Sequence, residues 1–510
     1  MPGRLRLGFL LFAAQLAICA AACSAPPPRH HLLIVVDGLR PDYVTAEVMP
    51  ALTALARRGV VFNRHHSVYP TVTRVNASSI STGSYPELHG LMGNSVFFPR
   101  VDPARFLDTA DRANLVEIAK IDGRLLTAPT LGELLQAAGR KMLVVSSGST
   151  GSAFLNNHNV SGGAILHYRY TLPESLAEDM KALGPPPEED APAGSLDRFA
   201  VDAFLKVGLP RIDPSVTVMW LSDLDSAAHA NGLGDPATVD VLRHIDGEIR
   251  RIEDGLKAAG LFDTYNIWVT SDHGFSTHTG GIALDAMLKP YAGSLPDGSP
   301  RIVADGGAIY VRDDDRAAVS AIVAVLQRTP GIGAIFTRAN ARQLLDGGVP
   351  GTLSFDAVRW DHDRSAQILF SPDWTDGENA HGLRGTVSSG GVAGHGSASP
   401  WDVHNTLIAA GPDLKEGVTI DVPSGNVDFA PTFLTLLGLR VPATMHGRPL
   451  GEAMRGRPDA GAAVTFTHTV RTPDGSYAAT AMFSTVSVNG RESRYFDGAK
   501  VFRPSAENVR

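Results

Sequence analysis

Asp37, Asp225, His229, Asp272, His273 and His395 are the residues whose types and placing carry chemistry. Asp37 closes the apolar run at residues 31–36 in VVDGLRPD. Asp225 and His229 follow the run at 216–221, in LSDLDSAAH. Asp272 and His273 close the run at 266–270, in VTSDHG, and His395 sits in the glycine-rich loop GVAGHGS ahead of 406–410. Each has a plain reading alone: a strand-terminal aspartate caps a helix or turn, His229 is a solvated histidine, and Asp272-His273-Gly274 is a turn. Together, four strand ends deliver three carboxylates and three imidazoles to one edge of one sheet. Mixed His and Asp ligation suits a pair of zinc ions. Two such ions a few ångströms apart clamp both oxygens of a phosphoryl transfer.

The segment at residues 69–90, YPTVTRVNASSISTGSYPELHG, runs on into Leu91-Met92-Gly93-Asn94. Its threonine-rich entry, helix-compatible stretch and Gly83 stop place Thr73 near a helix N-terminus. Free backbone N–H groups and the helix dipole favour a phosphate there. Standing alone, the segment would read Thr73 as a plain N-cap.

Holding these residues together takes a particular scaffold. Continuous apolar runs at 31–36, 142–146, 216–221, 266–270 and 406–410 read as strands buried on both faces. Helical patterns lie between them at 49–59, 238–260 and 427–438. Such alternation predicts an α/β fold, a mostly parallel sheet with helices on both faces and ligands beyond the carboxyl ends of the strands. The catalytic core is expected over 31–279 and 391–455. Residues 280–390 carry their own pattern, a strand at 307–311 and a helix at 316–328, and read as an inserted cap-like subdomain. Residues 98–135 read as polar and loop-like. Residues 456–510, with β-like stretches at 464–470 and 476–489, read as a small antiparallel addition.

The 510 residues are 44% hydrophobic and 19% charged, which excludes a disordered chain. A net charge of −8 and 7% aromatics, with no polybasic run, argue against a nucleic-acid-binding surface. Arg4 and Arg6 precede a short apolar stretch ending in Ala20-Ala21-Ala22, so residues 1–22 read as an export signal and 23–30 as a proline-rich link. The only cysteines are Cys19 and Cys23. A small-residue triplet before Cys23 resembles a lipoprotein processing site, so the exported protein is expected to be periplasmic or extracellular, either free or lipid-anchored. With one cysteine at most after processing, no internal disulfide forms.

In order and spacing, several pieces resemble the nucleotide pyrophosphatase/phosphodiesterase family of the alkaline phosphatase superfamily. They are VVDGLRPD, MPALTALARRGVVF, the PTVT…N…STGSYPELHGL block, the D-xxx-H of Asp225 and His229, SDHG, GHG and DFAPTFLTLLGL. The resemblance covers roughly residues 30–455, insertions excepted. It implies an alkaline-phosphatase-like fold and two divalent ions, zinc by preference. Asp37, Thr73, Asp272 and His273 would hold one ion, and Asp225, His229 and His395 the other. Thr73 matches the nucleophile that forms a phosphothreonine intermediate, and Asn94 matches the amide that binds a phosphoryl oxygen. Where the family commonly continues Phe-Pro-Asn after its nucleophile, this chain has Arg74-Val75-Asn76. Thr71 is the rival nucleophile and His381, in NAHGL, the rival ligand to His395.

The resemblance implies a phosphodiesterase or nucleotide pyrophosphatase, a hydrolase of phosphoric ester or anhydride bonds, with a small phosphate ester or nucleotide as substrate. Alternatives are a phosphomonoesterase or phosphonate hydrolase on the same fold and a catalytically silent exported binding protein. A sulfatase would need a modifiable Cys or Ser in a C/S-x-P-x-R context, which the Thr73 region lacks. Diesters are expected to be preferred, because no matched cation meets the extra charge of a monoester dianion. Adjacent helical positions diverge by ~100°, so Arg74 is expected to point outward from Thr73. Turned inward, it would bind the extra oxygen and reverse the preference.

Overall fold

The computed structural model describes residues 29–504 except 161, 189–190 and 342–343. The leader, Cys19, Cys23 and Pro26-Pro27-Pro28 lie outside the described residues, and His30, expected to end the proline-rich link, instead opens the first strand. Among those described, no helix is long and apolar enough to cross a membrane.

The strand His30–Val36 shows why its sequence is continuously apolar. Leu32, Ile34 and Val36 enter one core, while Leu33 and Val35 enter another on the opposite face. It pairs in parallel with Val216–Leu221 on one side and Tyr265–Thr270 on the other. These three form the centre of a nine-stranded sheet. Leu407–Ala410 runs antiparallel to Tyr265–Thr270, so the sheet is mixed though mostly parallel. The long helix Pro236–Ala258 seals the first face with Leu242, Ile245, Ile249 and Ile252. Helix Phe429–Leu436 seals the second with Phe429 and Phe433. Each such side chain contributes roughly 1.5–3 kcal/mol on burial.

The stretch at 98–135 departs from its loop-like reading. It contains helices Arg112–Asp122 and Leu131–Ala137. Asp111 caps the first by accepting from the Ala113 N–H, and Thr130 and Glu133 cap the second reciprocally. Those start signals stand in the sequence, but the helices bury only a narrow apolar face.

Within 280–390, the helix Arg316–Arg328 packs with a five-stranded sheet that includes Ile332–Thr337 and Ile368–Pro372. The C-terminal strands Val464–Arg471, Ala478–Val488 and Arg491–Phe502 form an antiparallel sheet. Tyr477, Ala481 and Phe483 share one apolar core with Ile335 and Phe336 of the inserted segment. The Tyr477 hydroxyl also donates to the Gly333 carbonyl at 2.8 Å.

Candidate active site

All six ligand-type residues meet at the carboxyl edge of the sheet centre, in two adjacent trios. Asp37, Asp272 and His273 form one and Asp225, His229 and His395 the other, with the ligand atoms of each trio within 4.8 Å of one another. Asp37 directly follows His30–Val36, and Asp272 and His273 follow Tyr265–Thr270. Asp225 and His229 lie one turn apart on helix Asp223–Asn231, so they share a face. His395 follows the short strand Ala393–Gly394. The His273 and His395 rings stack with centroids 3.4 Å apart, which sets the trios side by side.

The imidazoles are oriented alike. His273 donates its Nδ1–H to the Gly274 carbonyl, His229 to the Ala393 carbonyl and His395 to the Thr71 carbonyl, each at 2.9 Å. Each Nδ1 is thereby committed to a carbonyl, which leaves Nε2 as the atom that faces the carboxylates and the one a metal would take. His273 Nε2 lies 3.3 Å from Asp37 Oδ1 and 3.2 Å from Asp272 Oδ2. Asp225 Oδ1 lies 3.3 Å from His229 Nε2 and 3.4 Å from His395 Nε2. Those three carboxylate oxygens are buried and have no hydrogen-bond partner. Ligand atoms held ~2.0–2.1 Å from a tetrahedral ion stand roughly 3.3 Å apart. The donor set and its spacing fit two zinc-like ions.

Electrostatics agree. Burial pushes the Asp272 carboxyl up to about 7, and the charge of Asp225 adds to it. Burial also drives Asp37 well above the usual carboxylate range, with Asp272 and Asp225 reinforcing it. Burial opposes ionisation of Asp225 too, but His229 and His395 outweigh it and hold that carboxyl low. Burial first, and His395 second, keep His273 neutral. Carboxylates crowded in a buried pocket need cations to remain ionised.

Helix Thr73–Thr82 supplies the hydroxyl. Thr73 is its first residue, 5% exposed, and its Oγ1 lies 3.3 Å from His273 Nε2. Thr71 is committed elsewhere: its hydroxyl donates to the Ser397 carbonyl at 2.9 Å and accepts from the Gly396 N–H. His381 is exposed and packs beside Gly234, outside both trios. Asn94 accepts the Arg74 backbone N–H on Oδ1 at 3.0 Å, which orients its amide at the same helix end.

Arg74 does not point outward as expected. Its side chain is only 17% exposed, and its buried Nε–H has no partner. The cause is tertiary: the paired strands Ser95–Val96 and Leu107–Asp108 bring Asp108 to 3.8 Å from its guanidinium.

Trp220 escaped the sequence reading. Its indole N–H donates to Asp37 Oδ2 at 2.8 Å, leaving Oδ1 for the trio. The signal lay in strand register, since Trp220 stands opposite Val35 on the neighbouring strand. Gly38 has φ +77°, and a Cβ there would sit 2.9 Å from the Phe275 ring. Its N–H faces Asp272 Oδ1 at 3.3 Å, so this glycine lets the turn carry Asp37 close to Asp272.

The architecture is an α/β fold of the alkaline-phosphatase type. A variant of the alkaline phosphatase PafA superposes with a TM-score of 0.64 at 15% identity, covering 84% of this chain and all of that one. Murine ectonucleotide pyrophosphatase/phosphodiesterase 5 superposes with a TM-score of 0.56 at 18% identity, covering 81% and 96% of the two chains. An inactive form of that murine protein has been solved in complex with AMP. The family model for type I phosphodiesterase/nucleotide pyrophosphatase matches residues 31–375, and the chain belongs to that family of hydrolases. Human ectonucleotide pyrophosphatase/phosphodiesterase family member 1 is 26% identical over 263 residues, 51% of this chain and 25% of the human protein. The Xenopus laevis bis(5'-adenosyl)-triphosphatase is 25% identical over 269 residues, about half of each chain. His395 lies beyond the family match, and the tertiary structure alone brings it to the site.

Proposed function

We propose that this chain is an exported two-metal hydrolase that transfers the phosphoryl group of a small ester or nucleotide to Thr73 and then to water. Asp37, Thr73, Asp272 and His273 would hold one ion and Asp225, His229 and His395 the other. Zinc in those places supplies a Lewis acid that makes a bound hydroxyl a nucleophile at neutral pH. Thr73 attacks phosphorus and the leaving oxygen departs. Asn94, its Oδ1 held by the Arg74 N–H, offers its amide N–H groups to a non-bridging oxygen as charge builds there. Water then releases phosphate from the phosphothreonine. The carrying observation is the set of three imidazoles, each tied at Nδ1 to a backbone carbonyl, whose Nε2 atoms face three orphaned carboxylate oxygens. The AMP complex of the murine relative supports a nucleotide-type substrate.

The test pairs metal analysis with Thr73→Ala. The purified enzyme should carry two zinc equivalents, and intact-protein mass should gain one phosphoryl group during turnover. Thr73→Ala should remove that adduct and lower kcat by several orders of magnitude while the fold persists. Fewer than two bound ions, or near-normal turnover by the variant, would overturn the reading. Export rests on the basic and apolar leader, with the mature chain either free or lipid-attached at Cys23. N-terminal mass analysis should find a chain cut near Ala22, and an intact Met1 in mature material would refute it.

A further inference from the structure

Among the described residues, Arg74 is the cation that directly follows Thr73, and nothing in the reaction proposed above uses its side chain. It follows Thr73 directly in the first turn of helix Thr73–Thr82. Its guanidinium is mostly buried, its Nε–H is buried without a partner, and its only ion pair is a loose one, 3.8 Å to Asp108. Asp108 is itself 63% exposed and free to be solvated. The other charges Arg74 feels are Asp37, Asp225 and Asp272, the carboxylates of the two trios. Two divalent ions facing three carboxylates and a threonine alkoxide cancel in formal charge. Arg74 is then the charge left over for the substrate.

We infer that Arg74 is a substrate-binding residue that reads the additional charged oxygen of a terminal phosphoryl group, so that the enzyme prefers dianionic phosphomonoesters or terminal phosphates to phosphodiesters. This rests on the Thr73 reading and names the substrate class of that same site. A guanidinium offers paired N–H donors in one plane, which match two phosphoryl oxygens. A diester has only one ionised oxygen, and its second ester group would lie against a mostly buried, loosely paired cation. In the reaction, the Thr73 Oγ–P bond forms as the P–O bond to the leaving alcohol breaks, and the Thr73 proton leaves with that alcohol. Water then attacks phosphorus, the Thr73 Oγ–P bond breaks, and the hydroxyl is restored. The sum is ester plus water giving alcohol plus inorganic phosphate.

The experiment compares kcat/KM for p-nitrophenyl phosphate and methyl p-nitrophenyl phosphate in the zinc-loaded wild type, Arg74→Ala, Arg74→Gln and Arg74→Lys. The wild type should favour the monoester. Arg74→Ala and Arg74→Gln should each lose ~100-fold on the monoester and only a few-fold on the diester, with inhibition by inorganic phosphate weakened in parallel. Arg74→Lys should recover part of the loss, and zinc content should stay at the wild-type value. Incubation with ATP separates the two sources of a terminal phosphate. Release of inorganic phosphate with ADP shows that terminal anhydrides are taken too, and no turnover confines the preference to monoesters. A wild-type preference for the diester, equal losses on both substrates, or AMP and pyrophosphate from ATP would overturn the inference. Thr73→Ala keeps the two readings apart. If it abolishes both activities while the Arg74 variants lose both equally, the nucleophile stands and only the role of Arg74 falls.

Discussion

At the residue scale, the two trios tie metal binding to protons. The metal-free fold raises Asp272 to about 7, through burial and then the charge of Asp225, and raises Asp37 as well. An unfolded chain releases such protons near pH 4. Between about 4 and about 7 the folded, metal-free protein therefore binds protons that the unfolded chain does not, and its stability falls as pH rises across that window. Bound ions displace those protons. His229 adds in the same sense: burial lowers it, but Asp225 outweighs burial and raises it. The Tm gap between zinc-loaded and chelator-treated protein should widen from about pH 5 to pH 8. A constant or narrowing gap would show that these carboxylates are not displaced by metal.

At the element scale, helices that position the site borrow their caps from neighbours. Helix Pro50–Arg57 has Met49 at its N-cap, with no side chain to satisfy the first N–H groups. Asp246, buried on helix Pro236–Ala258, accepts from the Ala51 and Leu52 N–H groups at 2.9 Å each. One carboxylate thus caps the first helix and locks it to the second. Asp246→Ala should cost about 1–3 kcal/mol in denaturant unfolding, because two buried donors lose their acceptor. Its kcat/KM should stay near wild type, since the helix end lies away from the trios. An unchanged midpoint would mean that water replaces the cap.

At the scale of the whole molecule, the C-terminal sheet is fastened to the catalytic core by buried polar groups. The Tyr495 hydroxyl donates to Asp428 Oδ2 at 2.8 Å and accepts from Arg448 Nε at 3.1 Å. Arg448 also pairs with Glu452 at 2.6 Å, both nearly fully buried. His66 donates Nδ1–H to the Ser424 carbonyl at 2.8 Å and meets Asp497 Oδ1 through Nε2 at 2.6 Å. With His404, these residues make a third His and Asp trio. Its 2.6 Å contact is a hydrogen bond, shorter than the 3.2–3.4 Å separations in the two trios of the candidate site. That hydrogen bond joins sheet to core. Tyr495→Phe leaves Asp428 and Arg448 short of a partner and should lower stability by ~1–3 kcal/mol. Thermal unfolding checks this, with activity at low temperature expected to hold. An unchanged Tm would mean that the Tyr495 hydroxyl does not help to hold the two modules together.

Much of this protein was determined locally. Runs such as HLLIVV and VTVMWL are apolar at every position because both faces of their strands are buried, and that property is written along the chain. A residue closing such a run lies at the sheet's edge whatever the rest of the chain does, so Asp37, Asp272 and His273 were legible as neighbours. The helical spacing of Asp225 and His229 was equally local. Tertiary structure decided what depends on segments far apart in sequence. Thr71 and Thr73 are alike in the sequence, and the difference arises because Ser397 and Gly396 engage the Thr71 hydroxyl. His395 and His381 both lie in glycine-containing loops, and only the pairing of Ala393–Gly394 with Ser276–His278 carries one of them to Asp225. Helical periodicity alone turned Arg74 outward. The strands Ser95–Val96 and Leu107–Asp108 cover it instead, because a helix position is a surface only until another part of the chain packs against it.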